Sequence, residues 1–443
     1  MASFKNFNVI TNSTKAQDST FLNQTLRGNI VRKIFKIIFY FHLLLISLLI
    51  ISLTIYNLII STSQNPNFHP MKWYPPLLTS TLCAGVFGFT WQWITLKNPK
   101  MAIKATFWLS PILTCVMAIM LVYIETPISL TFGVIALIFS LIQSLYGCWI
   151  NPRLEYANKI LSTSIVDFPI KTMRIAFSST LIGIFYCLFL MFGIGGARAI
   201  ENKTNLTSLF ILLIVLSLGW TMQFLKNVIH VTISRVKYMN LGCGEEIMDT
   251  SVAFHDTLNH LIGSVTIGSI LVPFISTFRG FARSMSLMGG DSDEFMFSFV
   301  SCYMGIASIL VRCGNRFGFV HVGVYNKGFV QSSCDVWDIF NRVGLVELVD
   351  LDLSGSFCFL SGVAGGAISS LVGGIWSIVA YKNYATEVSI YGFLIGYFMV
   401  RLGLAWVQAC VCAYYVAYAE NPQSTHFDST IPMRLEQLHR SQV

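Results

Sequence analysis

Gln223, Lys226, Asn227, His230 and Ser234 recur at three- and four-residue intervals inside an otherwise apolar stretch, with Trp220 three residues ahead of them. At 3.6 residues per turn these positions share one helical face. Ionisable groups inside apolar runs are costly and mark the paths of ions and small solutes, so the spacing predicts a water-lined face. The bland reading is a polar stripe that glues helices together, with Lys226 snorkelling outward. A second group, His255, Asp256, Asn259 and His260, opens the next apolar run. Asp256 and His260 are four apart and can meet on a helix, and a carboxylate beside an imidazole is what a proton relay uses. The alternative is a polar helix end at the interface. Near the C-terminus Arg401 and Gln408 are seven apart on one expected face, with Tyr397 and Trp406 nearby. A lone intramembrane Arg needs a partner, and Asp256 is a candidate.

Aromatic residues make up 14% of the chain against few acids in the apolar runs. A quaternary ammonium has no N–H to donate, so a cage of rings suits it, each contact worth about 2 kcal/mol or more once desolvated. Trp220 is the leading ring for such a cage, with Tyr397 and Trp406 behind it. Small residues repeat elsewhere: Gly263 and Gly268 in one run, Gly362 and Gly366 in another, Gly392 and Gly396 in the last. Glycine every four positions lets helix backbones approach closely; a hinge is the sharper alternative.

The elements that must hold these groups are membrane helices. The chain has 443 residues, 54% of them hydrophobic and only 11% charged, with a mean hydropathy of +0.65. Soluble domains carry about 25% charged residues. Apolar runs of about 20 residues must be helical in lipid, where the backbone satisfies its own hydrogen bonds. Ten spans are expected, at roughly 34–60, 76–96, 102–123, 127–149, 173–195, 207–232, 252–277, 295–312, 354–381 and 388–417. The sequence therefore reads as an all-α polytopic bundle of about ten transmembrane helices. Residues 1–33 read as a polar cytosolic tail, 34–417 as the membrane domain and 418–443 as a second cytosolic tail. The first run reads as a signal anchor that stays in the membrane. Within 313–353, Phe329, Val336, Trp337 and Phe340 recur between polar residues, which predicts amphipathic helices at the cytosolic interface before the last two spans.

Lys and Arg cluster in the leader and in the even loops, which places both termini in the cytosol. The sequons at Asn202 and Asn205 then fall in an outside loop as glycosylation sites. The net charge of +8 fits anionic headgroups and implies no nucleic-acid partner. Eleven cysteines without a CxxC pair read as packing thiols, so neither a metal site nor a cofactor is expected. An enzyme is disfavoured. Lipid alcohol-phosphate chemistry needs several fixed carboxylates, whereas Asp291, Asp293, Glu294, Glu347, Asp350 and Asp352 read as solvated loop residues. No Walker-type loop offers ATP binding.

Four stretches carry a family likeness: Trp220-Thr221 through Asn227 and Thr232 to Ser234-Arg235; Gly263 to Ser269; Asp293 to Ser298; and Asn315 to Val349, with Val322 to Phe329 and Ser332 inside it. Together with the tail Phe427 to Pro432, they resemble the choline transporter-like family, also called the plasma-membrane choline transporter or Pns-type family, and its plant branch in particular. The likeness is strong over about half the chain and rests on span layout in the N-terminal half. Gln223 stands where plant members more often carry Glu. Gly318-Phe319 and Tyr325-Asn326 replace the usual Ala-Tyr and Tyr-Gly. The resemblance implies a transporter of choline or a related amino-alcohol such as ethanolamine, facilitative or exchanging against protons, in the plasma membrane or the secretory pathway. The competing class is a channel, lipid scramblase or trafficking regulator without choline specificity, with membrane lipids as its partners.

Overall fold

In the computed structural model the backbone is described over residues 2–61, 69–166, 170–200, 205–242, 248–288, 294–424 and 427–442. Side chains are described over the same stretches apart from 2–27, 60–61, 170–171, 205, 242, 282–288, 294–302, 439 and 441–442. Among these residues every regular element is helical. In chain order the helices are α1 (Ala2–Ser61), α2 (Pro70–Lys97), α3 (Pro99–Ile124), α4 (Pro127–Ile150), α5 (Leu154–Ile165), α6 (Ile170–Arg198), α7 (Asn205–Gly242), α8 (Thr250–Asp256), α9 (Ile262–Met288), α10 (Glu294–Cys313), α11 (Gly318–Tyr325), α12 (Phe329–Val343), α13 (Val346–Asp350), α14 (Ser354–Tyr381), α15 (Ala385–Gly403), α16 (Ala405–Glu420) and α17 (Thr430–Gln442). Proline opens α2, α3 and α4, where its missing N–H is one that a helix start leaves unpaired in any case. Thr126 and Ser129 close a capping box at the start of α4.

Among the described residues seven stretches are long and apolar enough to cross a membrane, and the outside of the bundle is correspondingly greasy. On α4 the outward residues include Ile135, Ile138, Leu141 and Leu145, each more than half exposed. Water does not tolerate so continuous an apolar surface, whereas lipid does. The chain is a multi-pass integral membrane protein.

Seven is fewer than the ten expected, for reasons visible in the packing. The expected span at 76–96 lies in α2, whose Ser80, Thr81, Gly85, Gly88, Gln92 and Thr95 are buried against neighbouring helices, so its sequence is less apolar than a lipid-facing helix. The stretch Val346–Gly403 counts once yet contains α14 and α15, packed face to face more extensively than any other pair. The expected span at 388–417 is interrupted at Leu404, where α15 ends and α16 begins. The first part of the span at 295–312 falls on residues whose side chains lie outside the described set. At the other end, α1 runs through the polar leader into the first span without a backbone break at residue 33.

α16 occupies the middle of the bundle. Every residue from Ala405 to Ala419 is buried, as expected of a helix apolar on all sides. It packs on α7, and through Tyr415 on Phe317. The segment 313–353 is more deeply integrated than a helix resting on headgroups: Phe319, Val320, Val322, Val336 and Phe340 are all at most 1% exposed, and α11 packs on α7.

Candidate functional site

A cavity of about 1750 Å³ runs beside α7. From that helix it takes Val215, Leu216, Gly219, Trp220, Gln223, Lys226, Asn227 and His230. These positions follow helical periodicity over about 22 Å at 1.5 Å per residue. The opposite wall comes from Ser269 and Pro273 of α9, Asn315 and Arg316, the segment Val349–Leu353, Phe359 of α14, Tyr397 and Arg401 of α15, and Gln408 of α16. Small-molecule pockets usually occupy about 300–1,000 Å³, so this space holds a small solute together with water.

The polar groups on the α7 wall are buried and incompletely satisfied. Asn227 is 1% exposed and donates from Nδ2 to Ser269 Oγ at 3.0 Å. Its Oδ1, His230 Nε2, Trp220 Nε1 and Gln408 Oε1 have no hydrogen-bond partner in the protein. Buried polar atoms are nearly always partnered, so three orphans on the α7 wall with a fourth facing them from α16 offer hydrogen-bonding positions to water or a ligand. Ser234, the last residue of the sequence stripe, donates to the Val231 carbonyl and is not on the wall.

The rings divide. Trp220 lines the cavity, and its indole lies 4.5 Å from the His42 ring and edge-on to Phe39 at 5.7 Å, so α1 holds it in place. Tyr397 also lines the cavity, beside Phe359 and Phe398. Trp406 does not: it is fully buried in the protein core, and α16 meets the cavity through Gln408 instead. Trp337 and Trp149 stand on the wall as well. Trp337 is legible in the sequence only as an amphipathic-helix residue and Trp149 only as an interfacial ring.

The expected proton relay is not assembled. Asp256 pairs with Arg235 at 3.0 Å, which also removes it as the partner of Arg401. His255 contacts Asn259 at 2.9 Å, His260 is exposed, and none of the three His/Asp residues lines the cavity. The Asp256 carboxylate turns to Arg235 instead, at the start of a π-helical turn over Thr257–Leu261.

Two acidic residues that read as solvated are part of the wall. Asp350 pairs with Arg279 at 2.5 Å, and Asp352, only 4% exposed, pairs with Arg316. Asp352 also caps α14, accepting from the Ser354 backbone N–H at 3.1 Å. Beyond the cavity, Glu420 ties three helices together: it accepts from Tyr238 and from Tyr325 at 3.0 Å and lies 2.7 Å from His321 Nε2. Burial opposes its ionisation, but the hydrogen bonds from His321 and Tyr238 outweigh burial and hold its carboxyl below the usual range.

The glycines sit at contacts between helices. Gly362, Gly366, Gly392 and Gly396 lie between α14 and α15, and a Cβ on Gly396 would stand 2.5 Å from the Gly365 carbonyl oxygen. Gly263 is pressed against the Arg32 backbone of α1, and Gly268 faces the rings of Phe319 and Phe329. Of the sequon residues, Asn202 lies outside the described residues, as does the side chain of Asn205, whose backbone starts α7. Among the described residues no three His, Cys, Asp or Glu side chains gather as metal ligands would.

The sequence profile of a family described as plasma-membrane choline transporter matches residues 134–423, well over half the chain. That match takes in every cavity-lining residue named above. Among relatives, Protein pns1 of Aspergillus fumigatus is 24% identical over 47% of this chain and 42% of its own length. A CTL-like protein of Dictyostelium discoideum is 23% identical over 66% of this chain and 53% of its own. Protein PNS1 of Gibberella zeae is 26% identical over 47% of this chain and 41% of its own. The chain spans about half the length of these relatives.

Proposed function

Given that the chain belongs to the plasma-membrane choline transporter family, we propose that it carries choline or a related amino-alcohol such as ethanolamine across the membrane, by facilitation or in exchange for protons. The observation that supports this reading best is the cavity along α7, with orphaned polar atoms spaced down its wall. Trp220 and Tyr397 offer ring faces to a trimethylammonium group. Asn227 Oδ1 and Gln408 Oε1 are free to accept from the substrate hydroxyl. Gln223, also on the wall, adds an uncharged polar contact. Proton exchange would use His230, the histidine on the cavity wall. The Asp256 and His260 pair is proposed for no such role, given the ion pair to Arg235.

Asn227→Cys, introduced after removal of the reactive native thiols, tests the reading. A small water-soluble thiol reagent should modify it, and choline should slow the modification. Val231, fully buried and absent from the cavity wall, supplies the control. Equal labelling of Val231→Cys and no protection by choline would reduce the stripe to helix packing.

A further inference from the structure

The cavity is basic where a cation carrier would be expected to be neutral or acidic. Its described wall holds five cationic side chains, Arg153, Lys226, Arg279, Arg316 and Arg401, against two acidic ones, Asp350 and Asp352. Both acids are already occupied, by Arg279 and Arg316. Arg153 lies over the Trp149 ring at 4.6 Å. That leaves Lys226 and Arg401. Lys226 is 5% exposed and lines the cavity, and no hydrogen bond or ion pair reaches it from any described residue. Arg401 likewise has none; its stem packs on the α14 backbone at Gly362. Arg401 and Arg316 are the like-charged neighbours that act on Lys226 electrostatically.

A buried, unpaired charge is unfavourable unless something neutralises it. Lys226 is such a group and the part-buried Arg401 faces the same cavity, so together they repel a bare cation and favour an anion between them. We propose that Lys226 and Arg401 form an anion subsite in this cavity, and that the substrate is an amino-alcohol carrying a phosphate. This deepens the transporter reading and rests on it. The ammonium end of such a zwitterion takes the rings of Trp220 and Tyr397, while the phosphate takes the two cations.

Phosphate fits this pair better than carboxylate. A phosphate monoester carries about −1.5 to −2 charges near neutral pH, which matches one ammonium and one guanidinium; a carboxylate carries one. The planar guanidinium forms two parallel bonds to phosphate oxygens, and lysine acts beside it as a point charge. Gln223, uncharged on the same wall, brings no carboxylate to compete for the two cations. The shared chemistry, ammonium joined to phosphate, occurs both in free phosphocholine and in phosphocholine lipid headgroups, whose diester phosphate carries a single negative charge and relies on the bidentate guanidinium contact, and the size of the cavity admits either.

Equilibrium binding to the purified full chain in a maltoside detergent, with choline, phosphocholine and lysophosphatidylcholine as probes, decides the matter. Phosphocholine should bind at least about tenfold more tightly than choline, a modest return for two charge-assisted contacts. Lys226→Met keeps the apolar stem and should abolish that preference while leaving choline binding equal or tighter. Lys226→Arg, which keeps the charge, should retain the preference, and thermal unfolding of each variant shows that it is folded. If lysophosphatidylcholine displaces phosphocholine at lower concentration, the anion subsite stands and the source is a lipid headgroup. If choline binds as tightly as phosphocholine, the subsite is refuted and the choline transporter reading survives. If phosphocholine binds but neither it nor choline is carried across proteoliposomes, the subsite stands and the transporter reading fails. Absence of binding by all three probes overturns both.

Discussion

Replacing Trp220 separates a ring that binds an ammonium from a ring that only packs. The indole lines the cavity and is flanked by Phe39 at 5.7 Å and His42 at 4.5 Å. Leucine keeps the site apolar but removes the ring quadrupole. A desolvated cation–π contact is worth about 2 kcal/mol, so Trp220→Leu should weaken binding of the ammonium-bearing ligand by about tenfold or more, at 1.4 kcal/mol per decade. The same change forfeits the edge-on pairing with Phe39, about 0.5–1.5 kcal/mol, which appears as a lower unfolding temperature without ligand. Trp220→Phe distinguishes the two effects. Nε1 has no partner in the protein, so phenylalanine gives up no protein hydrogen bond and keeps a quadrupole; affinity should stay within about threefold of the parent. The assay is equilibrium binding of choline and phosphocholine to each purified variant, with thermal unfolding measured in parallel. Unchanged affinity in Trp220→Leu would refute the argument. Equal weakening by Phe and Leu would show that shape or the indole N–H, and not the ring face, is what the ligand meets.

Asp352→Asn breaks the buried pairing with Arg316 and weakens the α14 cap; a loss of roughly 2–4 kcal/mol is expected, read as a fall in unfolding temperature, and an unchanged value would contradict the pairing. Gly396→Ala forces α15 away from the Gly365 carbonyl and should destabilise by about 1–3 kcal/mol; a variant as stable as the parent would mean that α14 and α15 do not approach so closely. The carboxyl of Asp428 is disfavoured by burial, yet hydrogen bonds from Thr430 and Tyr414 hold it below its usual 3.8. A carboxyl lowered by folding stabilises above its unfolded pKa, and that contribution is lost as pH falls through the folded value. Docking of α17 should therefore persist at neutral pH and weaken below about pH 4, and Asp428→Asn should loosen it at any pH. Limited proteolysis of the C-terminal segment measures this, and cleavage equally slow at pH 3 and pH 7 in the parent would contradict it.

The α7 face was legible because a 3-4-3-4 polar spacing inside an apolar run has one geometric meaning, whatever the neighbours are. Trp406 was misplaced because its helix is apolar all round, and a sequence cannot say which side of such a helix meets a cavity. Asp350 and Asp352 looked like loop acids since their partners, Arg279 and Arg316, lie on separate elements; only the Asp352-x-Ser354 spacing hinted at a helix cap. Asp256 does not meet His260 because it pairs with Arg235 on a neighbouring helix, a contact that local spacing cannot reveal. The expected span at 76–96 does form a helix, α2, but falls short of a lipid-facing helix in apolarity: helices surrounded by protein can replace leucine with serine, threonine and glycine, and α2 does so on its buried face.

The central claim is that a small amino-alcohol ligand crosses the membrane through the cavity beside α7. Uptake of labelled choline and labelled phosphocholine into proteoliposomes containing the purified chain, with and without a pH gradient, tests it most directly. Saturable uptake of at least one of the two, reduced by Trp220→Leu and blocked by modification of Asn227→Cys, is the predicted result. Uptake no greater than in protein-free vesicles, or linear uptake shared with unrelated solutes, would contradict the account.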